Sequence, residues 1–212
     1  MLKVTHLKKE RNNQTEVEIL KAARKVFTQK GYAAARMEDI AAEAGINRAL
    51  LHYYFRNKDR MFDIIFEQRI GEFFSGLASI MNSNLDLMKK IRAIVEHDIT
   101  MITAQPDLPI FIMQELTQNP QRLIDHANKV GARPEMLLKT LSAQVKTEIR
   151  KKTIRPIEAT QLLINIMSLS IYPFIAKPMI KAMNSLDDAM FDKMMKKRKA
   201  EVTDFIISAI KF

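Results

Sequence analysis

Apolar residues recur at helical spacing along nearly the whole chain, and strand-like alternation between turn residues does not occur. The first stripe lies between Thr15 and Gly31, and its members are Ile19, Ala22, Ala23, Val26 and Phe27. Glycine is rare, with 5 residues, and proline is modest, with 7. The pattern therefore predicts an all-α protein of about nine helices.

The helical segments fall into two groups. Four predicted helices lie near 15–30, 37–44, 48–55 and 58–79. Further segments follow near 86–104, 109–118, 121–129 and 134–152, then a helix near 156–182 and a terminal helix that ends near Ile210. Proline removes a backbone donor, so Pro173 and Pro178 predict kinks in the penultimate helix.

The segment 31–59 has the pattern of two short helices joined by a tight turn. Ile40, Ala41 and Ala44 share one face of the first helix. Gly45 follows where a left-handed residue is favoured at a helix end, and Asn47 is a good N-cap for the next helix. Leu51 and Phe55 are four residues apart, which predicts that both face the core.

The second short helix has an unusual outward face. At about 100° per residue, Ala49, Leu50, His52 and Tyr53 point away from Leu51. A mixture of small, apolar and aromatic-polar side chains suits the major groove of DNA, which offers thymine methyl groups and base-edge acceptors. This arrangement predicts a helix-turn-helix DNA reader over residues 36–55.

The same segment resembles the TetR family of bacterial transcriptional regulators. The resemblance covers about 18–61 and rests on motifs in matching order and spacing: Gly31-Tyr32, Ile40-Ala41, Ala44-Gly45-Ile46-Asn47, Leu51-His52, Tyr54-Phe55 and Lys58. It implies a DNA-binding domain at 14–60 and a helical domain for effector binding and dimerisation at 61–212. It also implies a homodimeric regulator, expected to be a repressor, that a small molecule releases from a pseudo-palindromic operator in the cytoplasm.

The chain differs from the family's usual residues at the positions expected to face DNA. Arg36 stands where the family usually has Thr, Ala49-Leu50 stand where Gly and a small hydroxyl residue are common, and His52 replaces Tyr. We expect Asn47 among the DNA-binding residues, and Ala49, Leu50, His52 and Tyr53 at the bases. The residues expected at phosphates are Arg36, Arg48, Tyr54 and Lys58, and Lys58 also opens a helix N-terminus.

Charge agrees with a nucleic-acid partner. The chain has 34 Lys+Arg against 24 Asp+Glu, a formal net charge of +10, and residues 1–60 hold 13 of the basic and 7 of the acidic residues. More than half of the excess thus lies on the predicted reader. Residues 1–13 are polar and basic, which predicts a flexible arm that adds nonspecific contact with DNA.

Nothing in the sequence indicates catalysis or a cofactor. Cysteine is absent, so the chain has no disulfide or thiolate site, and the four histidines show no metal-ligand spacing. Glu96-His97-Asp98 is more typical of a solvated helix surface than of a ligand set, because adjacent helical residues point in different directions. We expect neither enzymatic activity nor a bound metal.

The last two helices are candidates for a dimer interface. The segment 159–176 lacks charge but contains Gln161, Asn165 and Ser170, so a buried or interfacial helix explains it better than a membrane span. Two such helices from each of two subunits would form a four-helix bundle. The candidate interface residues are Leu162, Ile166, Leu169, Met194, Val202, Phe205 and Ala209.

Fourteen methionines suggest a surface that adapts to an apolar ligand. Phe74, Met101, Phe111 and Met113 are candidates to line an effector pocket, and Glu115 is its best polar candidate. Ordinary core packing is the alternative for each of them. Two other functions stay open at this point: a nonspecific architectural DNA-binding protein, and a helical ligand-binding or catalytic protein whose reader no longer binds specific DNA.

Overall fold

The structure is a computed structural model that describes residues 2–106, 108–129, 131 and 133–212, with the side chains of 2–12, Glu115 and Gln118 outside that description. Within these residues the chain forms eleven α-helices and no strand, which confirms the predicted all-α class with slightly more helices than the expected number of about nine. They are α1 (Leu2–Ala34), α2 (Met37–Glu43), α3 (Arg48–Tyr54), α4 (Lys58–Asn82), α5 (Leu87–Ala104), α6 (Leu108–Gln118), α7 (Pro120–Lys129), α8 (Pro134–Arg150), α9 (Ala159–Ile175), α10 (Lys177–Asn184) and α11 (Asp188–Ile210).

Both ends of α1 differ from a simple helix. The helix begins at Leu2, so residues 2–13 of the predicted flexible arm are part of α1. At Gly31 the backbone leaves helical geometry with φ 74°, which glycine adopts without the steric cost of a Cβ. The regular helix therefore ends where the sequence placed its end, and Tyr32–Ala34 turn towards α2.

The buried side chains form two cores. The first joins α1, α2 and α3 to the N-terminal half of α4 and to Phe111 of α6. The second joins the C-terminal half of α4 to α5, α8, α9 and α11. With 25 residues, α4 is about 37 Å long. It therefore contributes to both cores and links them rigidly.

The penultimate helix of the prediction is two helices. The first of them, α9, ends at Ile175, and the axis of α10 makes an angle of 67° with that of α9. Pro178 lies in the first turn of α10, where the N–H that proline lacks would have no partner within the helix. In the part of the chain that the structure describes, no single helix is long and apolar enough to cross a membrane. The bent pair α9 and α10 meets the length and composition criteria only when taken together.

The prediction of a solvated surface at Glu96-His97-Asp98 was wrong for two of the three residues. Asp98 is 1% exposed, because α5 packs against α4, α9 and α11 in the middle of the second core. His97 is half-buried against α4, where its Nε2 lies 3.0 Å from the Phe73 carbonyl oxygen. Gly76 makes room for its ring, since a Cβ there would collide with the imidazole.

Asp98 makes stability depend on pH. Burial raises the pKa of its carboxyl from 3.8 to about 7 in the folded state. Below about pH 4 both states bind the proton. Between about pH 4 and pH 7 the unfolded state ionises first, so stability falls as pH rises. The unfolding free energy of Asp98→Asn relative to that of the wild type should therefore rise over this range, by about 4 kcal/mol between pH 4 and pH 8.

Urea unfolding across this pH range measures the effect. Asp204→Asn is the matched control, because Asp204 lies on the exposed surface of α11 and forms a 3.6 Å ion pair with Arg92. An unfolding free energy of Asp98→Asn that runs parallel to the wild type at every pH would contradict the assignment.

Candidate nucleic-acid interface and ligand cleft

The helix-turn-helix has the scaffold that the sequence predicts. Ile40 and Leu51 are fully buried, and Phe55 is buried beside them. The turn passes through Gly45 at φ 66°, a left-handed conformation that favours glycine. The Asn47 side chain accepts a hydrogen bond from the Leu50 N–H at 2.8 Å, so Asn47 is occupied as the N-cap of α3.

On this scaffold, α3 presents an apolar and aromatic face to the outside. Ala49, Leu50, His52 and Tyr53 are all exposed, with Leu50 at 38% and Tyr53 at 74%. The Tyr53 ring packs edge-on against the half-buried ring of Tyr54, with centroids 5.3 Å apart. Leu51 and Phe55 face the core on the other side of the helix, so this face of α3 lies outside the reader's core.

Exposed basic side chains lie on α3 and close to it in the sequence. Arg36 is exposed at the N-cap of α2. Arg48 forms a 2.8 Å ion pair with Glu38, but both side chains are more than half exposed, so water screens the pair and it opens at little cost. Arg56 and Arg60 are also exposed beside α3, and sequence reasoning missed both. Their position on either side of the α4 N-cap was the signal that could have identified them.

Lys58 has a different environment from the one predicted. Its Nζ donates to the carbonyl oxygens of Tyr32 at 2.8 Å, Ala33 at 3.2 Å and Ala35 at 3.0 Å. The ammonium also lies 4.6 Å from the centre of the Tyr32 ring. A phosphate contact would have to replace these bonds. In this structure Lys58 therefore caps the end of α1 and links α1 to α4, and its phosphate contact stays a prediction.

Tyr32, near the end of α1, contacts both α4 and α7. Its hydroxyl donates to the Asp59 carboxylate, and burial together with that contact raises the pKa of the phenol. The Arg122 guanidinium of α7 lies 4.8 Å from the Tyr32 ring centre and 5.0 Å from that of Phe62. α7 thus rests directly on the junction between α1 and α4.

A second contact of α7 with α4 lies one turn further along. His126 is 3% exposed and packs edge-on against Phe66, with centroids 4.9 Å apart. Its Nδ1 lies 3.3 Å from Glu67 and its Nε2 lies 3.6 Å from Asp63. Burial lowers the pKa of the imidazole, so the neutral ring that suits this aromatic contact is favoured.

An apolar cleft lies on the other side of α6. It has a volume of about 640 Å³ and is bounded by α4, α5, α6, α7, α9 and α11. Small-molecule sites have volumes of about 300–1,000 Å³, so the cleft is large enough for a ligand. Of the residues predicted to line a pocket, Phe74 and Met113 do so.

The other pocket predictions lie elsewhere. Phe111 is 1% exposed in the first core, because it lies on the face of α6 that points away from the cleft. Met101 is half-buried on α5 outside the cleft lining. The Glu115 side chain lies outside the described residues. Sequence reasoning missed Arg198 of α11, which contributes the only charged side chain among the described lining residues.

The candidate interface residues divide into two groups. Leu162, Ile166 and Val202 are at most 3% exposed in the second core, so their assignment to an interface was wrong. They face their own subunit because α9 and α11 pack on α5 and on each other. Leu169 and Met194 are half-buried, whereas Phe205 and Ala209 are exposed. The exposed face of α9 instead carries Gln161, Ile164, Asn165, Ser168 and Tyr172.

Together, the scaffold and the exposed recognition helix define a helix-turn-helix protein with a helical second unit. A family model described as bacterial regulatory proteins of the tetR family matches residues 19–65. The N-terminal part of the chain is thus similar to the DNA-binding domain of the TetR family, as the resemblance of its motifs predicted.

Two relatives from Bacillus subtilis match only part of the chain. The fatty acid metabolism regulator protein is 22% identical over 114 residues, which cover 54% of this chain and 59% of that protein. The HTH-type regulator YhgD is 32% identical over 116 residues, which cover 50% of this chain and 61% of that protein. The matched region thus spans less than two thirds of either relative.

One solved structure matches nearly the full length. The ketosteroid regulator KstR2 of Mycobacterium tuberculosis superimposes with a TM-score of 0.67 at 16% identity, over 93% of this chain and 95% of that one. At this identity the comparison establishes the fold alone. That fold includes both the reader and the helical second unit.

The position of Lys58 generates a stability prediction. Lys58→Met keeps the aliphatic stem and leaves three carbonyl oxygens without their shared donor. The unfolding free energy should fall by about 2 kcal/mol in urea titrations followed by circular dichroism. Arg60→Met, an exposed cation in the same helical turn, should change it by less than about 0.5 kcal/mol. Unchanged stability of Lys58→Met with weaker binding to every duplex would support the phosphate contact instead.

Proposed function

We propose that the protein is a homodimeric transcription regulator that binds a pseudo-palindromic operator and releases it when a small molecule occupies the C-terminal unit. The observation that carries the proposal is the exposed face of α3. A fully packed scaffold presents Leu50 and Tyr53 to the outside although each would gain from burial. Exposed basic side chains lie on α3 and close to it in the sequence, so a polyanion with apolar groove edges is the surface that complements this face.

The proposed docking places α3 in the major groove. Ala49 and Leu50 are suited to thymine methyl groups, and His52 and Tyr53 to hydrogen-bonding base edges. Arg36, Arg48 and Tyr54 lie where phosphates would pass, joined by Arg56 and Arg60.

The proposed dimer uses the exposed faces of α9 and α11. Ile164 is 49% exposed, Tyr172 is 55% exposed and Phe205 is 65% exposed, which is costly for large apolar groups in an isolated subunit. With Ala209 and Ser168 they form a surface with small residues between large ones. Packing of two such surfaces gives a four-helix bundle and sets two readers side by side. Light scattering that finds a monomer at working concentration would contradict this arrangement.

The link between ligand and DNA passes through α6. One face of this helix places Phe111 in the reader's core, and another places Met113 and Leu116 in the cleft. A ligand that fits the cleft better when α6 is displaced would shift the population towards readers that no longer match the operator spacing. In the simplest case, the protein represses transcription while it occupies the operator, and the ligand releases it from the DNA.

The similar proteins support an apolar effector. The relative from Bacillus subtilis is a regulator of fatty acid metabolism, and the structural neighbour is a ketosteroid regulator. Both names refer to largely apolar metabolites, and the cleft in this chain has walls of that character. A regulator of chromosomal genes acts in the cytoplasm, and neither its DNA contact nor its ligand response requires catalysis.

Selection of bound duplexes from a random pool tests the function most broadly. The proposal predicts an enriched sequence with two related half-sites separated by about one helical turn or more. Equal retention of all duplexes at physiological salt would indicate an architectural DNA-binding protein instead. Absence of duplex binding even at low salt would contradict any role in DNA binding.

Tyr53 should contribute to sequence discrimination. Tyr53→Ala should lower affinity for the selected operator by about 1–3 kcal/mol, with a smaller effect on unrelated duplexes, because a base contact is lost. Arg56→Ala should weaken binding to all duplexes and reduce the salt slope by about one, because a phosphate contact is lost. Fluorescence anisotropy over a salt series separates the two effects.

Met183→Ala is the control for this comparison, since Met183 is 76% exposed on α10 and lies in neither proposed interface. Its affinity should equal that of the wild type. Tyr53→Ala and Arg56→Ala variants that both bind the operator as the wild type does would show that α3 is docked incorrectly.

A further inference from the structure

The walls of the cleft are apolar over almost their whole extent. Phe74, Ile112, Met113, Leu116 and Leu123 come from three helices, and α9 adds Met167 and Ile171. Such walls gain free energy only from a ligand with a large apolar surface. A compact polar metabolite would leave them exposed to water, so the cleft favours a ligand with a large apolar surface.

One cation interrupts this apolar wall. The Arg198 Nε donates to the Leu169 carbonyl oxygen of α9 at 3.0 Å, which fixes the half-buried guanidinium against the cleft. A guanidinium has five N–H donors, and four of them remain on the two terminal nitrogens. Within the described part of the chain no carboxylate accepts from them.

The neighbouring basic residues of α11 differ from Arg198. Lys197 pairs with Glu201 at 3.0 Å, and Lys199 donates to the Thr100 hydroxyl at 2.8 Å. Arg198 is thus the one of three consecutive cations that faces an apolar cleft without an anionic partner. A partly desolvated guanidinium is costly when unpaired and binds carboxylates through two parallel hydrogen bonds.

We propose that the cleft binds an extended hydrocarbon chain with one carboxylate headgroup, and that Arg198 is the residue that binds this headgroup. This inference rests on the proposed function in taking the cleft as the effector site. A neutral hydrocarbon would leave the guanidinium unpaired, and a cationic amphiphile would be repelled by it. The straight-chain carboxylates satisfy both the walls and the charge.

Titration calorimetry on the full-length protein without DNA tests the inference. The probes are straight-chain carboxylates from octanoate to hexadecanoate, each compared with the primary alcohol of equal length. Affinity should rise about fourfold for each added methylene until the chain fills the cleft. Each carboxylate should bind at least about tenfold more tightly than its alcohol, because the alcohol cannot form the charge-assisted pair.

Three variants assign the headgroup contact. Arg198→Gln should remove the preference for the carboxylate while leaving the affinity for the alcohol within about twofold. Arg198→Lys keeps the charge without the planar fork and should retain part of the preference. Lys196→Gln removes an exposed charge from the same helix outside the cleft lining and should bind both probes as the wild type does.

Several results would overturn the inference. They are equal binding of carboxylates and alcohols by the wild type, an unchanged preference in Arg198→Gln, and binding of neither probe. The last would arise if the second subunit of a dimer covered the cleft.

The operator measurement keeps this inference separate from the proposed function. An operator found by selection together with no carboxylate binding would contradict the ligand and leave the regulator intact. Binding that depends on Arg198 without any preferred duplex would support the ligand and contradict the regulator.

Discussion

The aromatic contact between α4 and α6 joins the helix-turn-helix domain to the helices that border the cleft. Phe111 lies between Phe62 and Phe66, with centroids 5.3 and 5.7 Å away. Such pairs stabilise by about 0.5–1.5 kcal/mol beyond the apolar area that they bury. Because Phe111 comes from the helix that also borders the cleft, the reader's core is completed by a residue of the second unit. The two units therefore share one packed core at this point.

This shared core restricts how the reader can move. Close-packed side chains transmit a displacement rather than absorb it, so a shift of α6 must move Phe62 and Phe66 or leave a void. The cation of Arg122 and the ring of His126 add contacts from α7 on the same side of α4. The hydrogen bonds of Lys58 and Tyr32 then connect α4 to α1, so a shift of α4 also affects the position of α1. A continuous path of packed groups thus joins α6, which borders the cleft, to α4 and α1.

The sequence predicted the local features well because short-range rules determine them. Gly31 and Gly45 take the left-handed conformations expected at helix ends, and Asn47 caps α3. Leu51 and Phe55 are buried as their spacing predicts. Each of these outcomes depends on residues within one or two turns of the chain.

The environment of Lys58 was not predictable in the same way. Its three carbonyl partners lie 23 to 26 residues away and are brought together only by the kink at Gly31. A lysine at a helix N-terminus in a basic reader satisfies the pattern of a phosphate contact equally well. Helical periodicity does not distinguish a lysine that binds phosphate from one that donates to carbonyl oxygens.

The orientation of helix faces is the second feature that the sequence could not predict. α9 is apolar nearly all round, and periodicity cannot decide which stripe faces the same subunit, so Leu162 and Ile166 were assigned to the outside although they are buried. Phe111 and Met113 are two residues apart on α6, which places them on different sides of the helix. Only the packing of α6 between the reader and the cleft shows which of them meets a ligand.

Amide hydrogen exchange of Phe111→Leu compared with the wild type tests the shared core most directly. The account predicts faster exchange in α6 and also in α1, α2, α3 and the first half of α4, because the smaller side chain loosens the reader's core. Met113→Ala, a change on the cleft side of the same helix, should alter exchange only around the cleft. Faster exchange confined to α6 in Phe111→Leu, with the reader protected as in the wild type, would contradict the account.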